Sequence, residues 1–120
     1  MTASALKTSS EDRDRAYRSR LKDEPRPAVI IDCATAVVLA ANAGGLSALG
    51  LTPADRLPAA LDSAMPAVAM LRELQRRGLG NAAKHALIFW RHGRTSMRLC
   101  DISSADPAFL SHALVVFRPD

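Results

Sequence analysis

Between Ala28 and Ala54 the chain carries a single charged residue, Asp32. A stretch of that length with so little charge has to supply buried structure, because charged side chains are what natural sequences keep at the surface. Within it, Ala28-Val29-Ile30-Ile31 is a short apolar, β-branched run closed by Asp32, and Val37-Val38-Leu39 is a second run that follows the Asp32-Cys33 corner. The pair predicts a hairpin. Asn42 comes next, with a side-chain oxygen able to accept from the backbone N–H of Gly44 or Gly45, donors that the first turn of a helix leaves unpaired. Leu46 and Leu49 then face inward, and Gly50 supplies a C-terminal stop.

The flanking segments read as helix before the hairpin and as helix followed by strands after it. Met1 to Ser10 is small and polar, a flexible leader, and Glu11 to Glu24 is densely charged with both signs. Glu11 with Arg15 and Asp14 with Arg18 have the spacing of helical ion pairs, Ser9 can cap the start, and Pro25 ends the segment. Its apolar stripe is thin, Ala16, Tyr17 and Leu21, which predicts a solvated extension or a contact with a second subunit. Thr52-Pro53 opens a short helix running toward Leu61, and Asp62 or Ser63 caps a longer one with Pro66 in its first turn. In that longer helix Val68, Leu71 and Leu74 recur at helical spacing until Gly78-Leu79-Gly80. His85 to Trp90 is a strand, His92-Gly93 a turn, Thr95 to Ile102 the returning strand, and Ser111 to Arg118 the last one. Alternation puts Leu87 and Phe89 on one face and Ile88 and Trp90 on the other. Five strands with helices on one side make an α+β domain.

Composition narrows the function classes. At 120 residues and 48% hydrophobic residues the chain closes one core and has no room for a second catalytic domain. No apolar run approaches the length of a membrane span, and the N-terminus lacks the pattern of a signal peptide, so a cytoplasmic protein without membrane contact is expected. Cys33 and Cys100 are far apart, without a second ligand at metal spacing, and read as small buried apolar residues. The net charge of +4 is dispersed, with one Trp and one Tyr, which argues against nucleic acid as a partner. His85, His92 and His112 form no ligand pair, Asp101 and Asp106 are too loosely placed to serve as paired acids, and Gly44-Gly45 lacks the lysine of a phosphate loop. No catalytic residue and no metal site are therefore assigned.

The succession of an aspartate, a short turn, an apolar strand, Ala-Asn, small residues and Leu-Gly resembles the N-terminal half of a PAS domain, with Asp32, Ala41, Asn42, Ala43, Leu49 and Gly50 at the matching positions. The usual glycine of the turn is replaced by Ala34-Thr35-Ala36. The resemblance covers Pro27 to Asp120, with residues 1–26 as leader and N-terminal helix. It implies a five-stranded antiparallel sheet, short helices on one face including a long connecting helix, and an N-terminal helical extension. It also implies a sensory or protein-interaction module that homodimerises, with Tyr17, Leu21 and Trp90 as the candidate dimer contacts. A ligand pocket between sheet and connecting helix would be lined by Ile30, Leu39, Leu46, Met70, Leu74, Phe89 and Leu99, residues that equally serve as core; Met65 and Met70 would soften its wall. Haem is not expected, because Ala64 to Arg77 holds no histidine, nor is a flavin photo-adduct, because neither cysteine lies in an Asn-Cys-Arg type motif.

Ending at Arg118-Pro119-Asp120, directly after its last strand, the chain reads as the N-terminal piece of a longer signalling protein. The Ala- and Arg-rich composition is similar to that of alphaproteobacterial sensor histidine kinases that control cell division, and the resemblance implies a two-component role with other signalling proteins as further partners. Two alternatives stand beside it. One is a small ligand-binding or enzymatic α+β domain working through His85 or Asp101, and the other a PAS regulator of a cyclic-dinucleotide enzyme or a transcription factor.

Overall fold

The apolar runs on either side of the Asp32-Cys33 corner form neighbouring strands of the sheet. In the computed structural model, which describes residues 2–51, 57–80, 82–91 and 94–119 with side chains from residue 12 onward except that of Arg91, Ala28–Asp32 (β1) pairs antiparallel with Val37–Ala41 (β2). Across its other edge β1 pairs with the last strand, His112–Phe117 (β6), so the two ends of the domain meet at the sheet centre. Beyond β6 come Arg94–Ser104 (β5) and Ala83–Arg91 (β4), both antiparallel. The connecting turn expected at His92-Gly93 lies outside the described residues.

A sixth strand completes the sheet. Ala59–Ala60 (β3) pairs with the outer edge of β2, giving the order β3-β2-β1-β6-β5-β4, one strand more than the five expected. The short helix expected from Thr52 toward Leu61 is corrected by this finding over its described part: residues 57–58 form a bend and 59–60 a strand. The edge of β2 offers unpaired backbone groups, and Leu61 N–H extends the pairing by donating to Ala36 C=O at 2.8 Å, which a helix could not do. The start of that expected helix, at Thr52-Pro53, lies outside the described residues.

One sheet face carries Ala43–Ala48 (α2) and Pro66–Arg77 (α3) over the main core of Val29, Ile31, Val38, Val68, Leu71, Leu87, Phe89, Val115 and Phe117. Phe89 and Phe117 meet at 5.5 Å with their planes tilted by 51°. The capping expected at the start of α3 is also corrected. Met65 is the N-cap with no side-chain bond, whereas Asp62 Oδ1 accepts from Ala64 N–H at 2.9 Å and forms a turn ahead of the helix. Pro66 sits at its first position, where a missing N–H costs nothing.

Thr2–Lys22 (α1) covers part of the opposite face. It begins at Thr2 rather than after a flexible leader, and Ser9 lies inside it instead of capping it; Ala3, Ala5, Leu6 and Lys7 are good helix formers. Nor is α1 a solvated extension. Tyr17 and Leu21 are buried against Ala28, Ile30, Ala40 and Val116 of the same chain. Asp14 pairs with Arg13 at 3.1 Å rather than with Arg18, and Arg15 lies 3.6 Å from Asp12; the expected pair of Arg15 with Glu11 falls outside the described side chains.

Candidate functional site

Alternation along β4 leaves Ala86, Ile88 and Trp90 on the face away from Leu87 and Phe89, and the register with β5 sets them beside Leu99, Met97 and Thr95. This is the face on which α1 lies, but α1 packs on β1 and β2 and leaves the β4–β5 hairpin uncovered. Trp90 is 40%, Leu99 41% and Met97 66% exposed. The strip is apolar and lies on the same sheet face as the docked helix. Apolar side chains grouped in this way on a small domain gain most by meeting another protein surface.

The seven residues expected to line a pocket do not converge. Phe89 and Leu74 belong to the core beneath α3, and Leu46 is half-buried on α2. Ile30 and Leu39 lie on the opposite face, in the cluster under α1. Met70 points outward from α3 at 41% exposure, and Leu99 belongs to the exposed strip. Alternation explains two of these: Ile30 faces away from Val29 and Ile31 on β1, and Leu39 faces away from Val38 on β2. A bulge then shifts the β1–β2 pairing, so that Ile31 faces Val38 but Ile30 faces Ala40, with Leu39 as the extra residue. A cleft of about 800 Å3 lies elsewhere, where Gln75 to Gly80 at the end of α3 meets Ser104, Pro107 and Leu110, and it includes none of the seven.

Of the dimer candidates, only Trp90 reaches the surface. Tyr17 and Leu21 turn inward, so a second subunit touching α1 would meet its other side. Tyr17 Oη instead lies 2.7 Å from Nδ1 of His112, a residue 5% exposed whose Nε2 stands 3.7 Å from Asp32 Oδ2. Phe109 stacks on the imidazole with centroids 4.8 Å apart and planes 8° from parallel, and the Arg13 guanidinium lies over Phe109 at 5.1 Å. Burial pushes the Tyr17 hydroxyl up to about 12, with Asp106 adding to the shift. It also holds His112 below the usual imidazole value, against the opposing pull of Asp32. No local signal in the sequence joins residues 17 and 112.

Asn42 does more than cap α2. Its Oδ1 accepts from Gly45 N–H at 2.8 Å and from Ala28 N–H at 3.0 Å. Its Nδ2 donates to Arg26 C=O at 2.8 Å and approaches the carbonyls of Glu24 and Leu21 at 3.3 and 3.4 Å. One amide therefore ties the end of α1, the link after it, β1 and α2 together. Asp32 closes the hairpin turn, accepting from Ala34 N–H at 3.0 Å through its side chain and from Ala36 N–H at 2.8 Å through its carbonyl.

Neither cysteine offers reactive chemistry. Burial raises the thiol of Cys33 to about 11 and that of Cys100 to about 12, so both stay protonated. Among the described residues no three His, Cys, Asp or Glu side chains gather as metal ligands.

No family model and no curated protein matches the sequence. Among solved structures, the PAS domain of an HTR-like protein from Haloarcula marismortui superposes over 93% of this chain and 97% of its own, with a TM-score of 0.55 and 13% identity. The fold is a PAS fold. The resemblance in the stretch from Asp32 to Gly50 is thus matched by the arrangement of the whole sheet, and its polar positions acquire structural roles: Asp32 builds the PAS hairpin turn and Asn42 clasps the segments around it. No helix among the described residues is long and apolar enough to cross a membrane.

Proposed function

We propose that this chain is a sensory and protein-interaction PAS domain that homodimerises and regulates a linked signalling output. The observation that carries the reading is the uncovered strip of Trp90, Met97 and Leu99, which lies beside α1 on the outer sheet face. The α3 side is closed by the core, so the outer face is where this PAS fold has apolar surface to offer. A second copy of the chain presents the same strip, and a two-fold arrangement buries both. The output we assign is a cytoplasmic sensor histidine kinase of a two-component system, of the type that governs cell division. What supports that assignment is the Ala- and Arg-rich composition and the use of PAS folds to gate such kinases, since no catalytic residue is assigned here. The assignment takes no haem or flavin and no nucleic acid, and it leaves other signalling proteins as further partners.

Native mass spectrometry of the 120-residue chain tests the reading, because one spectrum reports subunit number and retained mass. A dimer is expected, converted to monomer by Met97→Glu with folding intact. A wild-type monomer would sink the dimerisation reading. Extra mass released on denaturation would replace it with ligand sensing.

A further inference from the structure

The cluster beneath α1 gives the fold a device that the dimerisation reading does not need. Among the α1 residues whose side chains are described, only Tyr17 and Leu21 are buried, so residues 12–22 are held to the sheet by a small apolar contact and two polar pins. One is Arg20 Nη1 on Ala105 C=O at 2.7 Å. The other is Tyr17 Oη on His112 Nδ1 at 2.7 Å, a side-chain bond from α1 to a strand. The arrangement is satisfied by a neutral imidazole with its proton on Nε2, so that Nδ1 accepts from Tyr17 and Nε2–H points toward Asp32.

We propose that α1 is a pH-sensitive latch on the outer face of the sheet, held closed by neutral His112 and released when that imidazole takes up a proton. A proton added at Nδ1 turns an acceptor into a donor. The Tyr17 phenol must then rotate to accept, and its own hydrogen loses the partner it had in a site closed to water. The charge also has to be carried under a helix that excludes solvent. The groups facing it are Arg13 and Asp14 from α1, Asp32 from β1, and Asp106 with the stacked Phe109 from the β5–β6 connection. Asp32, Asp106 and Asp14 favour the proton; burial, the largest influence, and Arg13 oppose it.

The sign follows from linkage. Because the imidazole binds its proton less readily when buried than in an exposed, released state, falling pH favours release. The closed latch is fully favoured above the ordinary histidine value near 6.5 and loses that advantage as pH drops through and below it. Release uncovers Ile30, Leu114 and Val116, whose β5 neighbours are Ser103 opposite Leu114 and Asp101 opposite Val116, on the same sheet face as Leu99 and Met97.

Hydrogen exchange of the α1 segment over residues 12–22 tests the latch within a single chain, whatever its oligomeric state. The intact protein is compared at about pH 7.5 and about pH 5.5, with rates corrected for the intrinsic pH dependence of exchange. The opening equilibrium of α1 should rise severalfold at the lower pH, with a ceiling of about tenfold set by a released imidazole that titrates near 6.5, one unit above that pH, while β1 and β6 keep their protection. His112→Gln, which cannot titrate, should abolish the difference. Should that variant fail to fold, Tyr17→Phe should loosen α1 at the higher pH and shrink the pH response. Protection of α1 unchanged by pH overturns the latch. So does an equal response in His112→Gln, which would assign the titration to another group, and so does a parallel loss in β1 and β6, which would make the event global unfolding.

Discussion

Gly45 and Asn42 decide at the level of single residues where α2 can sit. A Cβ on Gly45 would collide with the Ala28 carbonyl oxygen and stand 2.8 Å from Val29 Cγ1, so the helix reaches β1 only because that atom is missing. Gly45→Ala should lower stability by about 3 kcal/mol, the upper range for forcing extra volume into a packed contact, as read from denaturant midpoints. Asn42 gives a sharper test, because aspartate is an equally good helix cap. Asn42→Asp keeps the acceptor for Gly45 N–H but turns a carboxylate toward the carbonyls of Leu21, Glu24 and Arg26. A loss of at least about 2 kcal/mol is expected, and a neutral result would reduce Asn42 to a cap. The cap was legible in the sequence because it is a local pattern. The clasp was not, since its carbonyl partners lie sixteen to twenty-one positions away. The turn is intermediate: the absent glycine was visible, and its consequence is Ala36 at φ 60 with its methyl buried. Ala36→Gly relieves about 1 kcal/mol of left-handed strain but gives up a buried methyl and adds chain entropy of similar size. Its net effect should stay within about 1 kcal/mol, whereas Ala36→Val, β-branched at positive φ, should lose more than about 2.

Among the elements, those with a strong local pattern were readable and those fixed by a distant partner were not. The hairpin β1–β2 followed from two apolar runs, α3 from Val68, Leu71 and Leu74, and β4 and β5 from alternation around Leu87 and Phe89. β3 escaped because two alanines form a strand only when the β2 edge is already there. The β1–β2 bulge escaped for a related reason, since the position of the extra residue is set by the cross-strand partner. The role of α1 was missed most widely. Its thin stripe reads as solvated, yet Tyr17 and Leu21 are buried because the sheet offers Ile30, Val116 and a buried histidine to meet them. Leu21→Asp tests that attachment. A carboxylate in this contact should detach α1 while the separate core under α3 keeps the sheet folded. Trypsin should then cut after Arg13, Arg15, Arg18 and Arg20 at least about tenfold faster than in the wild type, since cleavage follows the open population. Unchanged resistance would mean that α1 is held by something other than Tyr17 and Leu21.

At the scale of the molecule, one sheet divides two tasks between its faces, and adjacent residues of β4 report them separately. Phe89 is 1% exposed against Phe117, whereas Trp90, one position on, is 40% exposed in the outer strip. Phe89→Ala removes a ring from the core and should cost about 3 to 5 kcal/mol, a large part of the total stability of a domain this size. Trp90→Ser removes a larger side chain from a face that one chain alone does not bury, so its cost in the monomer should be below about 1 kcal/mol. In the dimer we propose the order should reverse, because aromatic anchors in an interface carry most of its energy. Trp90→Ser should weaken self-association by at least about tenfold in sedimentation at a concentration where it remains folded. Denaturant midpoints measured at low and high protein concentration separate the two effects. The wild type should gain stability with concentration, as any protein does whose folded form alone associates, and Trp90→Ser should lose that gain. Equal concentration dependence in both proteins would remove Trp90 from the interface and leave the outer strip to a different partner.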